Sequence, residues 1–164
     1  MNLKNIGVLL VVCGLAEPLT AQAQELLFSV GRTDFSDKGK DGAVFDFEYR
    51  HSPFSEKPIR SIAFGANASA SAEGDVFIGG GLWARWKWSN GWFIDTSLMP
   101  GLFKEGTDGN DLGTAFAIRS LIGAGYEFHG GHKISAAIAH KSNAGLANSN
   151  PGTNTFSIRY HVSF

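Results

Sequence analysis

Apolar and polar residues alternate one by one along much of the chain, and this pattern constrains the fold more than any other feature. In the segment 43–50, the aromatic residues fall at odd positions and the charged residues fall at even positions. Successive side chains of a β-strand point to opposite faces, so this segment is predicted to form a strand with one apolar and one polar face. Seven more segments are predicted strands: 26–33, 59–70, 75–88, 92–99, 114–128, 132–140 and 154–164. The sequence therefore predicts an all-β protein.

The connections between these strands alternate in length. Long polar loops follow the first, fifth and seventh strands, whereas tight turns at 89–91 and 130–131 follow the fourth and sixth. Short turns at one end and longer loops at the other are typical of outer-membrane barrels. Aromatic residues that suit a membrane interface fall near the short-turn end: Trp86, Trp88, Trp92, Phe128 and Phe164. The chain is thus predicted to form an eight-stranded antiparallel transmembrane β-barrel of the outer membrane, closed by a last strand that ends at Phe164.

The charged faces of the strands are predicted to fill this barrel. The interior of an eight-stranded barrel is just wide enough for side chains, so charges of both signs should form a packed and paired polar core. The residues concerned are Asp46, Glu48, Arg50, Arg85, Lys87, Asp95, Arg119, Glu127 and Arg159. A soluble, lipocalin-like barrel with its apolar faces turned inward is the alternative. The N-terminal signal, the final Phe164 and the aromatic positions favour the membrane-embedded form.

Residues 1–23 have the anatomy of a secretory signal peptide. A positively charged start and an apolar run lead to Ala21-Gln22-Ala23, an A-x-A cleavage pattern. Cleavage after Ala23 would leave a single domain, residues 24–164. A lipoprotein signal ending at Cys13 is the alternative, but Val12 is the wrong residue to precede that cysteine. Because the sequence contains no other cysteine, the mature domain is predicted to have no disulfide and no cysteine-based metal site.

The segment 139–146, at the end of the seventh predicted strand, carries a base and a hydroxyl two residues apart. His140 and Ser142 share one face of the strand, where they can come within hydrogen-bond reach, as a histidine-activated serine nucleophile requires. Ile138 has the same parity, so both groups are predicted to face lipid, as is Asn154 on the last strand. Polar groups that face lipid are costly, and an enzyme whose substrate is itself a lipid would explain them.

Two short motifs resemble those of the PagL-type lipid A 3-O-deacylases: His140-x-Ser142-Asn143-Ala144-Gly145-Leu146 and Asn150-Pro151-Gly152-x-Asn154. The resemblance implies an outer-membrane esterase that removes the acyl chain ester-linked at the 3-position of lipid A, with no metal or other cofactor. It implies lipopolysaccharide and outer-membrane lipids as partners, and a site on the external, outer-leaflet side of a Gram-negative outer membrane. It also implies Ser142 as nucleophile, His140 as general base, and the N–H groups of Asn143 and Gly145 as an oxyanion hole.

Asn154 departs from the family pattern, in which this position is typically a glutamate. An amide oxygen can still accept a hydrogen bond from the imidazole and fix its tautomer, as in Cys-His-Asn proteases, but it cannot stabilise the imidazolium by charge. We therefore expect a Ser142-His140-Asn154 constellation that works more slowly than a version with a carboxylate. The alternative is that Asn154 only flanks the turn that Pro151-Gly152 begins.

Other readings of the whole chain stay open on the sequence alone. A small structural or adhesive barrel without chemistry is one, and transfer of the acyl group to another acceptor is another. A net charge of −1 argues against a nucleic-acid partner. The residues do not decide the oligomeric state, so a homodimer is left open. Lys141, between the base and the hydroxyl, is expected on the lipid side, and the residues do not decide whether it contacts a lipid A phosphate.

Overall fold

The alternating segments form the strands of an antiparallel sheet that curls back on itself. The computed structural model describes residues 24–33, 42–107, 109–148 and 150–164. The strands in these ranges are β1 (Glu25–Thr33), β2 (Ala43–Arg50), β3 (Ser55–Lys57), β4 (Arg60–Ser71), β5 (Val76–Lys87), β6 (Trp92–Lys104), β7 (Phe116–Glu127), β8 (Lys133–Ser142) and β9 (Thr153–Ser163). The predicted signal peptide, residues 1–23, lies outside the described residues and stays a prediction.

Pairing of the first strand with the last closes the barrel. β1 pairs with both β2 and β9, and β2 pairs with β4, so that eight strands form a ring in which every neighbour is antiparallel. At the seam, backbone N–H groups and carbonyls of Gln24 and Phe164 exchange two hydrogen bonds of 3.0 Å. The prediction of an eight-stranded antiparallel barrel closed by its terminal strand is therefore confirmed.

Two strands differ from the prediction. β3 is a short strand that pairs only with the start of β4, in the connection between β2 and β4, where no strand was predicted. β6 runs on to Lys104 instead of ending at Met99, and it carries Pro100 within it. The ladder between β5 and β6 is interrupted at Met99 and Pro100, which lie opposite Gly81 and Gly80. Proline has no N–H to donate, so a gap in the ladder lets the strand continue past it.

Buried ion pairs fill the barrel. The Asp95 carboxylate accepts hydrogen bonds from Arg50 at 2.8 Å and from Arg85 at 2.7 Å. Arg85 also donates to Glu25 at 2.7 Å, and Arg50 donates to Glu48 at 2.8 Å. Each of these side chains is almost inaccessible to solvent. Buried charges are tolerated when they are paired in this way. The predicted packed, paired polar core is thus confirmed.

The rest of the predicted interior residues divide between the core and the rim. Asp46, Arg119 and Arg159 are buried among the same charges. Lys87 and Glu127 instead pair at 2.8 Å, with 45% and 23% of their side chains exposed. They follow the alternation but lie at the strand ends beside the short turns. The ion-pair core therefore occupies the middle of the barrel, and this outer pair lies beyond it.

The outer wall of the barrel is apolar. Large apolar residues on every long strand point outward, and many expose 44–63% of their surface, among them Phe28, Phe45, Phe64, Ile78, Leu98, Ile122, Ile138 and Phe156. This orientation contradicts the soluble alternative, which requires the apolar faces to point inward. Trp88, Trp92, Phe128 and Phe164 are exposed near the short-turn end, as an interfacial aromatic belt requires.

Within the described residues, no helix has both the length and the apolar character that a membrane span requires.

Candidate active site

His140 and Asn154 meet on the outer wall of the barrel, near the end that carries the longer loops. They are direct partners in the ladder between β8 and β9. Nδ1 of His140 lies 2.9 Å from Oδ1 of Asn154. An amide oxygen only accepts hydrogen bonds, so Nδ1 carries the ring proton and Nε2 keeps its lone pair. The imidazole is thus held in the tautomer that leaves Nε2 able to take up a proton.

Ser142 occupies the next outward position of β8 after His140, as the alternation predicts. It lies opposite Ile118 of β7 and is half-buried. Among the residues that the structure describes, no hydrogen bond joins the Ser142 hydroxyl to the His140 ring. Residues two apart on a strand are about 7 Å apart along its axis, so the ring has to lean along β8 to reach the hydroxyl. Such contacts are often loose without substrate and tighten when it binds.

Gly152 packs against the imidazole, whereas its position in the sequence indicates only a turn. A Cβ at this position would lie 2.6 Å from Cε1 and 3.2 Å from Nε2 of His140. Its φ of 68° is also in the left-handed region, where residues with a Cβ are strained. Glycine is therefore required here twice, once by the turn and once by the ring. The Asn-Pro-Gly motif indicates the turn, but nothing in the sequence indicates the contact with His140.

The loop after β8 is held by asparagine side chains. Asn143 is fully buried, and its Nδ2 donates to the carbonyl of Leu112 at 2.7 Å, which ties this loop to the one between β6 and β7. Its Oδ1 accepts from the Gly145 N–H at 2.8 Å. The N–H of Asn143 donates to Oδ1 of Asn150 at 3.0 Å. Ala144 and Gly145 both have positive φ values, 56° and 77°. The loop is therefore a tight, internally bonded turn.

Both predicted oxyanion-hole donors already hold an acceptor in this turn. The N–H of Asn143 faces an amide oxygen of Asn150, and the N–H of Gly145 faces the amide oxygen of Asn143 itself. Their role as an oxyanion hole stays a prediction. For this role, each N–H has to turn from its neutral amide acceptor to the negatively charged oxyanion, or donate to both, when the reaction occurs.

Lys141 points into the barrel, so its expected position on the lipid side is wrong. Its side chain is buried, and Nζ donates to the hydroxyl of Ser69 at 2.9 Å. The ammonium also lies 5.7 Å from the ring centroid of Phe77. The reason is the alternation itself: a residue between two outward positions, His140 and Ser142, must face inward.

Among the described residues, no group of three or more histidine, cysteine, aspartate and glutamate side chains is placed to hold a metal ion.

Comparison with known protein families decides the family of the chain. The model of the lipid A 3-O-deacylase (PagL) family matches residues 42–163, which include every residue of the site described above. The chain belongs to the lipid A 3-O-deacylase family. The activity named for this family is the hydrolysis of an ester, and its substrate, lipid A, is a membrane lipid.

Solved structures show the same fold. The crystal structure of the outer membrane enzyme PagL has a TM-score of 0.69 and 19% sequence identity, and the match covers 84% of this chain and 98% of that one. A de novo designed transmembrane β-barrel has a TM-score of 0.55 at 10% identity, with 89% and 98% covered. The outer membrane protein Ail of Yersinia pestis, solved in a phospholipid bilayer nanodisc, has a TM-score of 0.50 at 13% identity, with 87% and 100% covered. No curated protein matches the chain.

The similarity to these membrane barrels agrees with the apolar outer wall, and with the family match it identifies the fold as an outer-membrane barrel. The predicted family and fold are thereby confirmed, and so is the main functional reading as a lipid A deacylase. The roles of the individual site residues, the side of the membrane that they face and the oligomeric state stay predictions.

Proposed function

We propose that this protein hydrolyses the ester at the 3-position of lipid A with Ser142 as the nucleophile and His140 as the general base. The observation that carries the assignment is the hydrogen bond of 2.9 Å between His140 and Asn154 on the lipid-facing wall, in a chain of the deacylase family. An outward-facing, oriented imidazole next to an outward-facing hydroxyl has no evident structural use on a surface where the large exposed side chains are mainly apolar. A serine two residues further along the same face supplies the group that it would activate.

In the first half of the reaction, the Ser142 oxygen attacks the ester carbonyl while its proton passes to Nε2 of His140. The carbonyl oxygen becomes an oxyanion in the tetrahedral intermediate. When the intermediate collapses, the bond to the sugar oxygen breaks, and that oxygen leaves with the proton held on His140. The products are the 3-hydroxyl of the deacylated lipid and an acyl-enzyme on Ser142.

In the second half, water attacks the acyl-enzyme and gives its proton to His140. Collapse of the second intermediate returns this proton to the Ser142 oxygen and releases a 3-hydroxy fatty acid. Every proton taken up by the imidazole is thus given back, and the enzyme ends as it began.

The oxyanion is proposed to be stabilised by the N–H groups of Asn143 and Gly145. Both donate to neutral amide oxygens in the resting structure. Hydrogen bonds to a charged acceptor are about twice as strong as those to a neutral one, so the oxyanion competes well for these donors. An interaction that strengthens only as the charge develops lowers the barrier without tightening the binding of substrate.

Asn154 is proposed as a positioning residue that acts through His140. Its amide oxygen holds the ring proton at Nδ1 and so keeps Nε2 free to accept the serine proton. We also propose that the site lies in the outer leaflet. It stands at the end of the barrel with the longer loops, and in barrels of this kind those loops are extracellular.

The test is incubation of the purified, folded protein with lipopolysaccharide, followed by mass spectrometry of the lipid A and of the released acids. We expect loss of one 3-hydroxyacyl chain and appearance of the free acid. Ser142→Ala should lower the rate at least about a thousandfold, because no other group can form the acyl-enzyme. Ser120→Ala is the matched control, since Ser120 lies beside His140 on β7 and its hydroxyl donates to the backbone carbonyl of His140, at 3.5 Å.

The same experiment separates the rival functions. Lipid A that stays intact under every condition would identify a structural or adhesive barrel without chemistry. Loss of the acyl chain from lipid A without release of the free acid, together with a new acylated product, would identify an acyltransferase. Equal activity of Ser142→Ala and the unmodified protein would overturn the assignment of the nucleophile.

A further inference from the structure

A shallow apolar groove lies on the outer wall of the barrel directly below the candidate active site. It has a volume of about 300 Å³ and runs across the outer faces of β6, β7, β8 and β9. Side chains of very different size line it: Ile94, Ile122, Ala124, Ala136, Ile138 and Phe156. The two alanines are cross-strand partners, and each stands next to larger outward residues, so they form a notch in the wall.

The groove is continuous with the site. Ile138 is the outward residue next to His140 on β8, and Phe156 is the outward residue next to Asn154 on β9. Ile138 and Phe156 are themselves partners in the ladder. An acyl chain that leaves the site toward the membrane interior therefore meets this pair first and the alanine notch next.

The notch lies at the depth where an outer-leaflet chain ends. Six residues separate Ser142 from Ala136, which is about 20 Å along a β-strand. Strands of outer-membrane barrels tilt by about 40°, so this length corresponds to a depth of about 15 Å. The hydrocarbon core is about 30 Å thick, so a chain held at Ser142 reaches the notch close to the middle of the bilayer.

We propose that this groove binds the ester-linked chain of the substrate and that Ala124 and Ala136 receive its far end. The inference rests on the proposed function, because it needs the ester carbonyl at Ser142. A chain tethered at the site has a high effective concentration in the adjoining groove and so displaces free membrane lipid from it. These two alanines then determine which length of acyl chain the groove accommodates.

A second groove on the wall allows a matched control. It is larger, about 730 Å³, and lies mainly over β1, β2, β4 and β9. Ala68 lines it from β4, four strands away from β8 around the ring, and Ala68 is as outward-facing as Ala136. Ala136→Leu fills the proposed groove, whereas Ala68→Leu places the same side chain in the other one.

The experiment compares two lipid A preparations whose 3-linked chains differ by roughly four methylenes, a difference that an apolar pocket discriminates by tenfold or more. Ala136→Leu should lower the rate on the longer chain at least about fivefold relative to the shorter chain. Ala68→Leu should leave this ratio as it is in the unmodified protein. An unchanged ratio in a folded Ala136→Leu variant would overturn the inference, and so would a shift caused by Ala68→Leu instead.

A measurement without turnover separates this inference from the proposed function. A fluorophore is attached at Ala136→Cys or at Ala68→Cys, and the probe is lipid A whose 3-linked chain is brominated at its far end. The groove predicts stronger quenching at position 136 than at position 68, whether or not the ester is cleaved. Equal quenching at both positions would show ordinary contact with membrane lipid and would refute the groove. If the unmodified protein cleaves neither preparation but quenching is selective, only the proposed activity fails.

Discussion

Replacement of Asn154 tests how the imidazole is controlled. In the resting state its bond to His140 joins two neutral groups at 2.9 Å. When the ring takes up the serine proton, the same bond becomes charge-assisted and about twice as strong, a gain of about 1 kcal/mol. Asn154→Ala removes this gain, and since about 1.4 kcal/mol corresponds to a factor of ten, we expect kcat to fall about fivefold.

Asn154→Asp should act in the opposite direction. Aspartate has the same length as asparagine, so a carboxylate oxygen can take the place of Oδ1 without a change of geometry. Its bond to the charged ring is stronger than that of an amide by about 1.5 kcal/mol, which predicts a kcat about tenfold above that of the unmodified protein.

The assay is the initial rate of fatty-acid release from lipopolysaccharide in mixed micelles, measured across pH for each folded variant. Ser120→Ala serves again as the control, because Ser120 is paired with His140 on the neighbouring strand and its hydroxyl donates to the His140 carbonyl. A purely structural role for Asn154 predicts no gain in kcat for Asn154→Asp. Equal rates for Asn154→Ala and the unmodified protein would refute the reasoning, because the bond would then contribute nothing to proton transfer.

Two more substitutions test the surroundings of the site and the barrel itself. Gly152→Ala places a Cβ 2.6 Å from the ring of His140 and should lower kcat about tenfold or more. Gly131 also has a positive φ but no neighbour within 4 Å, so Gly131→Ala should keep full activity. Equal losses of activity in both variants would show that the contact between Gly152 and the ring does not matter. Asp95→Ala leaves Arg85 and a second buried arginine without their shared acceptor and should lower the free energy of unfolding by about 3–5 kcal/mol in a denaturant titration of the protein in vesicles. A loss below about 1 kcal/mol would show that the ion pairs in the barrel are loosely coupled.

The outward placement of the site could be predicted from the sequence because alternation leaves little freedom. Ile138 fixes the parity of β8, and parity alone places His140 and Ser142 on the lipid side. The ladder then sets Asn154 directly opposite His140, since a shift by one residue would turn the whole apolar face of β9 inward. The same rule shows why the lipid-side position expected for Lys141 was wrong: a residue between two outward positions of a strand points into the barrel.

The loop after β8 could not be predicted in the same way. Its shape depends on side-chain amides that bond to backbone groups, such as Asn143 to Leu112 and Asn150 to Asn143. Asparagine can form turns in several conformations, so its presence indicates a loop without fixing the partners. Gly152 and His140 lie on either side of a loop, and no rule of sequence spacing predicts a contact across it. The short β3 was missed because three residues are too few for a periodic pattern.

Because the imidazole projects from the side wall of the cylinder, the proposed reaction is a two-dimensional one. The lipid arrives by lateral diffusion, and its chains never leave the hydrocarbon layer for water. The quantity that sets the rate is then the mole fraction of the lipid in its leaflet, so that dilution with inert lipid slows the enzyme while dilution with buffer does not. Both products are also formed in that leaflet, where a detached acid and a lipid with fewer chains alter the packing of the membrane around the enzyme that made them.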